Sequence, residues 1–555
     1  MSHPLFLQHQ ATLDLALQAL RERQYWSPHP EMPSPKSYGE SAPADGLTAF
    51  EALLQQDFQL DGLPPSQGWV GSERSPYRGA LRIRYPRHDA DALLNASAAA
   101  LQSWRQAGPH AWVGVCLEII QRLNRRSFEI AHAVMHTTGQ AFMMAFQAGG
   151  PHAQDRALEA VAYAWSEMSA IPAHCRWSKP QGKHEPLVLE KSWKITPRGI
   201  GLVIGCSTFP TWNGYPGLFA SLATGNSIIV KPHPGAVLPL ALTVRIAREV
   251  LAEAGFDPNT VLLAANQHGE PLARQLAERQ EVKLIDFTGS SAHGEWLESH
   301  CRHAQVYAEK AGVNCIVLDS TDDFPGLCRN IALSLALYSG QMCTAPQNIF
   351  IPANGIRTPD GMLSYQQTAA GLCAALEALC AEPAKAVELL GAIQNPDVLH
   401  RLEAAQQLGQ PMLDSRRLIH PAYPEAEVRT PLLRQLTLED RTIYQQEHFG
   451  PIGFLIQAPD SAAALRQVED TVRRHGALTL SVYSTDPQLQ QLAQNVAEHA
   501  YVSLALNFTG TVMVNQSAAF SDFHGSGGNP AANASLSDSA FVANRFRVTQ
   551  TRRFA

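Results

Sequence analysis

Gly199-Ile200-Gly201-Leu202-Val203-Ile204-Gly205, Asn226-Ser227-Ile228-Ile229-Val230-Lys231, Thr260-Val261-Leu262-Leu263-Ala264 and Val282-Lys283-Leu284-Ile285-Asp286-Phe287 are four short apolar runs in one stretch of chain. In each, apolar residues succeed one another instead of alternating with polar ones, the pattern of a strand covered on both faces. Between the runs, residues 215–223, 238–254 and 269–279 have helical character, and the second of these closes on Gly255. This rhythm predicts an α/β fold built on a doubly wound parallel sheet, with a ligand at the carboxyl ends of its strands. The last run leads into Thr288-Gly289-Ser290-Ser291-Ala292-His293-Gly294. No complete G-x-G-x-x-G follows any of the strands. Gly289, Ser290 and Gly294 nevertheless stand where a strand meets a helix, where backbone N–H groups can approach a pyrophosphate; an ordinary tight turn fits the same residues. Lys231, held by Pro232, reads as a phosphate or ribose contact or as a solvated loop lysine.

Upstream, residues 91–106, 112–126 and 154–171 are Ala-rich and helical in character, as expected of outer helices on a layered domain. An amphipathic helix is expected over 7–24, from Leu13, Ala16, Leu17 and Leu20, and residues 27–35, with four prolines, suggest an extended arm. With 555 residues the chain can bury a large core and divide into two or three domains. A net charge of −7, with no long run of Lys or Arg, gives no footprint for nucleic acid or an anionic membrane. The nine cysteines are scattered, with neither a C-x-x-C pair nor Cys/His ligand spacing, which points to reduced thiols and away from a disulfide frame or a zinc site. No apolar run approaches the roughly 18 residues of a membrane span, and residues 3–14 lack the apolar core of a signal peptide. A cytoplasmic protein is expected.

Cys343 stands in Ser339-Gly340-Gln341-Met342-Cys343-Thr344, and Glu309 in Tyr307-Ala308-Glu309-Lys310. Alone, a thiol after a glycine says little, because most buried cysteines are structural. The order Phe209-Pro210, Ala223-Thr224-Gly225-Asn226, Val230-Lys231-Pro232, Phe287-Thr288-Gly289-Ser290, Glu309, Gly340-Gln341-x-Cys343 and Glu447-x-Phe449-Gly450-Pro451 resembles the aldehyde dehydrogenase superfamily over about residues 90–550. Within it, Tyr25-Trp26-Ser27-Pro28, Pro33-Ser34-Pro35-Lys36, Tyr38-Gly39, Cys206-Ser207-Thr208-Phe209-Pro210 and His524-Gly525-Ser526-Gly527-Gly528-Asn529 resemble the phenylacetic acid degradation protein PaaN group.

The resemblance implies two doubly wound parallel-sheet domains plus an oligomerisation hairpin and arm. It divides the chain into an N-terminal helix and Pro-rich arm (1–50), a dinucleotide-binding domain (51–183 and 198–311), oligomerisation strands (184–197 and 540–555) and a catalytic domain (312–539). Cys343 is then similar to the family nucleophile, which forms a thiohemiacetal and, after hydride loss, a thioester. Glu309 resembles the general base acting on Cys343 or on the hydrolytic water. Relatives that pass the acyl group to coenzyme A generally lack this glutamate, so a free acid is the implied product. Glu447 and Phe449 match the pair that holds the nicotinamide ribose and packs the nicotinamide end.

Two positions depart from the family pattern. Thr208 stands where most relatives carry the amide donor of the oxyanion hole, with the Cys343 backbone N–H as the second donor; Asn213 could reach in if the loop differs. Pro234 stands where NAD-selective relatives place a glutamate, which removes repulsion of a 2′-phosphate, so Lys231 and His233 could contact that phosphate and the dinucleotide is NADP or NAD, with NADP favoured. The run 544–554 should be an exposed edge strand joining a neighbouring subunit's sheet, with 185–196 as the partner hairpin, which implies a homodimer or a dimer of dimers. Substrate-channel residues are expected in loops at 160–178, 340–346 and 505–530. Three functions follow: oxidation of a ring-opened, coenzyme-A-linked semialdehyde in phenylacetate catabolism, oxidation of simple aliphatic or aromatic aldehydes, or a binding protein that keeps the fold without turnover.

Overall fold

Two sheets, one of five strands and one of seven, organise the computed structural model, which describes residues 3–310, 312–513 and 517–555. The five-stranded sheet runs, in spatial order, Gln305–Lys310, Val282–Gly289, Ile200–Ile204, Ser227–Lys231 and Val261–Leu263, and every pairing in it is parallel. These strands are buried almost throughout, as unbroken apolar runs require. The helices Pro210–Ala223, Leu238–Glu253 and Leu272–Ala277 connect four of them, so the α/β reading holds. The first of these starts well before the residue 215 expected from sequence, because Pro210 is well suited to an opening helical turn.

The seven-stranded sheet is ordered Gln410–Leu413, Leu432–Thr437, Ile452–Ala458, Asn348–Pro352, Cys315–Leu318, Thr479–Tyr483 and Ser503–Leu506. Its pairings are parallel except at the Gln410–Leu413 edge, which pairs antiparallel, so this second sheet is mixed.

The expected outer helices are present at Ala90–Ala107, Pro109–Arg125 and Ala153–Ser169, and the N-terminal helix at Pro4–Glu22. The Pro-rich stretch is not a free arm. His29 Nδ1 lies 2.6 Å from the Asp155 carboxylate in a buried pair that holds the segment on helix Ala153–Ser169, and the Tyr38 hydroxyl donates to the Pro30 carbonyl within the segment.

The terminal strand exists as Phe546–Phe554, but it pairs within its own chain, antiparallel to His184–Pro197, which pairs in turn with His174–Gln181. The hairpin thus opens ahead of residue 184, and the terminal strand lies at the edge of a three-stranded sheet with its other side unpaired among the described residues. Arg545, fully buried at the root of this strand, makes a bidentate pair with Asp286 (2.6 and 2.8 Å) and packs over both the Tyr307 and Phe541 rings, which touch edge to face. That pair ties the C-terminal segment to the five-stranded sheet.

Candidate active site

Tyr338, Ser339 and Gly340, just ahead of Cys343, occupy the left-handed region at φ 51°, 51° and 63°. For the two residues with side chains this costs on the order of 1–3 kcal/mol each, so neighbouring contacts must hold the turn. The Tyr338 hydroxyl donates to the Thr138 carbonyl (2.6 Å), and the Ser339 hydroxyl reaches the Leu390 and Arg429 carbonyls (3.1 and 3.2 Å). Gly340 is required here, because a Cβ would meet the Gly450 carbonyl oxygen at 2.4 Å. Beyond the thiol, the Asn314 amide donates to the carbonyls of Cys343 and Ala345 (2.7 and 3.0 Å), while its oxygen accepts the N–H groups of Leu478 and Thr479. The loop is clamped on both sides of the sulfur.

Glu309 enters from strand Gln305–Lys310, in register with Thr288, so the carboxylate and the turn at Gly289 arise from adjacent strands. One residue brings the two reactive groups together that sequence reading left without a role. His524 Nε2 lies 3.1 Å from Glu309 Oε2 and 4.0 Å from Cys343 Sγ, with both polar side chains almost fully buried. The reactive atoms of Glu309, Cys343 and His524 fall within 4.8 Å of one another. Only the contact to sulfur is aligned as a hydrogen bond; Glu309 Oε2, although close, has no aligned partner among the described residues. The other carboxylate oxygen accepts from Asn213 Nδ2 at 3.5 Å.

Electrostatics follow from this packing. Burial first, then the Glu309 carboxylate, hold the Cys343 thiol well above its ordinary pKa. Burial alone would raise Glu309 as well, but the adjacent His524, then the polar contacts with Cys343 and Asn213, outweigh it and hold the carboxyl below its usual value. The resting thiol is therefore protonated beside an ionised carboxylate.

The loop bearing His524 is fixed from helix Ala153–Ser169. Arg156, paired with Glu159 at 2.6 Å, donates to Ser517 Oγ and to the Asp522 carbonyl (3.2 Å each), and Glu159 accepts the Phe520 N–H. Ser517 Oγ lies 3.4 Å from His524 Nδ1, and Trp212 packs edge-on against the ring. Further along, the Ala531 carbonyl accepts the Lys310 N–H at 2.6 Å, which joins this segment to the Glu309 strand.

Thr208 lies in the loop before helix Pro210–Ala223, where its carbonyl accepts from Gln140 (2.8 Å) and its hydroxyl bonds the Cys206 thiol. Asn213, one turn into the helix, is the side-chain amide that reaches the Glu309 end of the cluster.

The expected cofactor residues line the carboxyl edge of the five-stranded sheet and its approach to Cys343. Lys231 is buried, and its one hydrogen bond among the described residues goes to the Pro232 carbonyl at 2.7 Å, so N–H groups remain for ligand oxygens. Burial lowers its pKa to about 8. His233 accepts the Gly235 N–H; burial, then Lys231 and His268, lower it to about 4, so a phosphate would meet a neutral ring. Gly289 ends its strand, Ser290 stands at the N-terminal boundary of helix Ser291–His300 with no side-chain capping bond, and Gly294 lies against Lys310 so closely that a Cβ would meet that side chain at 2.5 Å. Glu447 has no hydrogen bond to its carboxylate among the described residues, is raised to about 7 by burial, and acts on the Cys343 charge. The Phe449 carbonyl is held by Arg401. A buried cation and a half-buried carboxylate with unused hydrogen-bonding capacity fit the ribose and phosphate groups of a dinucleotide.

A cavity of about 460 Å³ reaches Met342, beside the nucleophile, and Ser517, which supports His524. Tyr25, Trp26, Met143 and Trp212 give it an apolar wall, with Glu31 and Glu388 also at its surface. Of the expected channel loops, 340–346 and 505–530 contribute, apart from 514–516, which lie outside the described residues, as does Ala311. The segment 160–178 does not line the cavity; the N-terminal segment and residues 143–156 take that place.

Residues 76–535 match the model of the aldehyde dehydrogenase family. The chain belongs to that family and is an aldehyde dehydrogenase by class. It is 24% identical over 453 residues to a vanillin dehydrogenase of Pseudomonas fluorescens, covering 78% of this chain and 86% of the relative, and 27% identical over 396 residues to an N-succinylglutamate 5-semialdehyde dehydrogenase of Chromobacterium violaceum, covering 69% and 74%. The crystal structure of an NAD-dependent aldehyde dehydrogenase from Burkholderia multivorans superposes with a TM-score of 0.99 at 61% identity over the whole of both chains. A 1-pyrroline-5-carboxylate dehydrogenase from Thermus shares the fold, with a TM-score of 0.73 at 19% identity over 96% and 99% of the two chains.

Proposed function

We propose that the protein oxidises an elongated, largely apolar aldehyde to its free acid, using NADP or NAD, through a thioester on Cys343. The observation that carries this reading is the clustering of the Cys343 sulfur, the buried Glu309 carboxylate and His524 within 4.8 Å of one another, with a cavity of largely apolar wall reaching the neighbouring Met342 and Ser517. The Cys343 thiolate adds to the carbonyl carbon, and the oxyanion is held by the Cys343 backbone N–H with Thr208, or with Asn213, as the side-chain donor. A nicotinamide dinucleotide, when bound, supplies the hydride acceptor. Lys231, Gly289, Ser290 and Gly294 receive its adenosine and phosphate end, while Glu447 and Phe449 hold the nicotinamide ribose and ring. Glu309 takes a proton from the water that cleaves the thioester, a task suited to a carboxylate oxygen without an aligned partner.

The particular substrate we favour is a ring-opened, coenzyme-A-linked semialdehyde of phenylacetate catabolism, because Tyr25 and Trp26, in the stretch resembling the PaaN group, are also cavity wall. A free aromatic or aliphatic aldehyde is the second reading. Glu31 and Glu388 favour it, since carboxylates at the cavity would repel coenzyme A phosphates, and the vanillin dehydrogenase relative points the same way. NADP is the expected dinucleotide because Pro234 offers no carboxylate against a 2′-phosphate, while the NAD-dependent relative supports use of NAD. Nine unpaired cysteines support a reducing, cytoplasmic setting, and the largely exposed three-stranded sheet, with Phe554 at its end, supports a homodimer or dimer of dimers. A screen of free aldehydes and their coenzyme A conjugates with both dinucleotides, followed by nicotinamide absorbance, tests the reading. Turnover confined to conjugates supports the first substrate, turnover of free aldehydes supports the second, and no turnover with any aldehyde refutes both.

A further inference from the structure

His524 is the third member of the cluster and stands 181 residues from the nucleophile in sequence. Its Nδ1 faces Ser517 Oγ, an oxygen that already accepts an N–H from Arg156. With Nδ1 carrying the proton and donating to that oxygen, Nε2 presents its lone pair, and the aligned neighbour of Nε2 is Cys343 Sγ. The charged and titratable groups around the ring are Glu309 on one side, Cys343 on the other, and the Arg156–Glu159 pair behind Ser517. Cys206 and Glu447 act on the sulfur from farther off. The imidazolium formed by that transfer would lie 3.1 Å from the Glu309 carboxylate.

We propose that His524 is the proton acceptor for Cys343: Nε2 takes the thiol proton before attack, holds it while the sulfur carries the acyl group, and returns it as the acyl group leaves. Glu309 is thereby reserved for water. Protons and electrons balance over the cycle. The S–H bond breaks as Nε2–H forms, the thiolate forms the C–S bond, and the aldehyde hydrogen leaves with its electron pair as hydride to the nicotinamide. Water then replaces sulfur on the acyl carbon, Glu309 takes the water proton and releases it to solvent, and His524 reprotonates the departing thiolate. The sum is aldehyde, oxidised dinucleotide and water giving acid, reduced dinucleotide and one proton. The arrangement gives one thiol two bases, with one step assigned to each.

The test is the pH dependence of Cys343 alkylation by iodoacetamide, read by mass spectrometry of the Cys343 peptide, beside the single-turnover burst of reduced nicotinamide. In His524→Gln the alkylation midpoint should move up by about one to two pH units, and the burst rate at pH 7 should fall at least about tenfold and recover at alkaline pH. Glu309→Gln should keep its burst and lose steady-state turnover. An unchanged midpoint in His524→Gln, or an intact burst with only acyl release slowed, would overturn the proposal. Should that variant fail to bind dinucleotide, the difference in 240 nm absorbance between wild type and Cys343→Ser gives the thiolate titration without it. A step at lower pH in wild type than in His524→Asn, titrated the same way, supports the proposal, and equal steps overturn it.

Discussion

Replacing Arg545 by Met removes both hydrogen bonds to Asp286, the 2.6 Å bond to Ser221 Oγ and the 3.0 Å bond to the Phe541 carbonyl, while leaving an apolar chain packed over the Tyr307 and Phe541 rings. The Asp286 carboxylate then stays buried against Gly217 with no cation, because the approach is too close for rearrangement: a Cβ on Gly217 would meet Asp286 Cγ at 2.3 Å. Breaking a buried pair from one side costs about 3–5 kcal/mol, or roughly two to three and a half powers of ten in the folding equilibrium at about 1.4 kcal/mol each. Replacing both partners, Arg545→Met with Asp286→Leu, should recover most of this loss, since leucine branches where aspartate does and leaves no charge behind. Urea unfolding followed by fluorescence and circular dichroism measures the difference. A single variant within about 1 kcal/mol of wild type, or a double variant less stable than the single one, would refute the account of how the C-terminal segment is anchored.

Trp26→Ala should lower kcat/KM for long or aromatic aldehydes by about 10- to 200-fold, the range for lost apolar contact in a pocket, while acetaldehyde turnover stays near wild type; equal losses for both would remove Trp26 from the substrate wall. Glu447, raised to about 7, is neutral below that pH and a carboxylate above it. Dinucleotide Kd should therefore fall as pH rises from 6 to 7 in wild type, below the range in which Lys231 loses its charge, and this fall should be lost in Glu447→Gln. Titrations by protein fluorescence read both, and an equal slope in the variant would separate Glu447 from the ribose.

Four strands of the five-stranded sheet, from Ile200 to Gly289, were legible in sequence because their signals are local. Apolar runs with Gly or Pro at their ends set Ile200–Ile204 and Ser227–Lys231 almost to the residue. Helix Ser127–Thr138 carries no such signal: it is buried on nearly every face, so no polar stripe marks its period. The Pro-rich stretch suggested an arm from composition, and its docking depends on His29 meeting Asp155, 126 residues away. The reactive pair Cys343 and Glu309 stood in short motifs. His524 stood in a quoted motif too, but its approach to sulfur depends on the Arg156 network and the Ala531–Lys310 pairing, contacts that no local pattern encodes. The Asn314 clamp was missed for the same reason: its partners at Cys343, Leu478 and Thr479 come from separate parts of the seven-stranded domain.

The central claim is a thioester on Cys343 that water resolves with Glu309 as base. Glu309→Gln mixed with a turned-over aldehyde and dinucleotide, quenched in acid within the first turnovers and digested, should yield the Cys343 peptide carrying the mass of the acyl group, with one equivalent of reduced dinucleotide formed per site. An unmodified Cys343 peptide beside that full equivalent of reduced dinucleotide, or the acyl mass on another residue, would contradict the account.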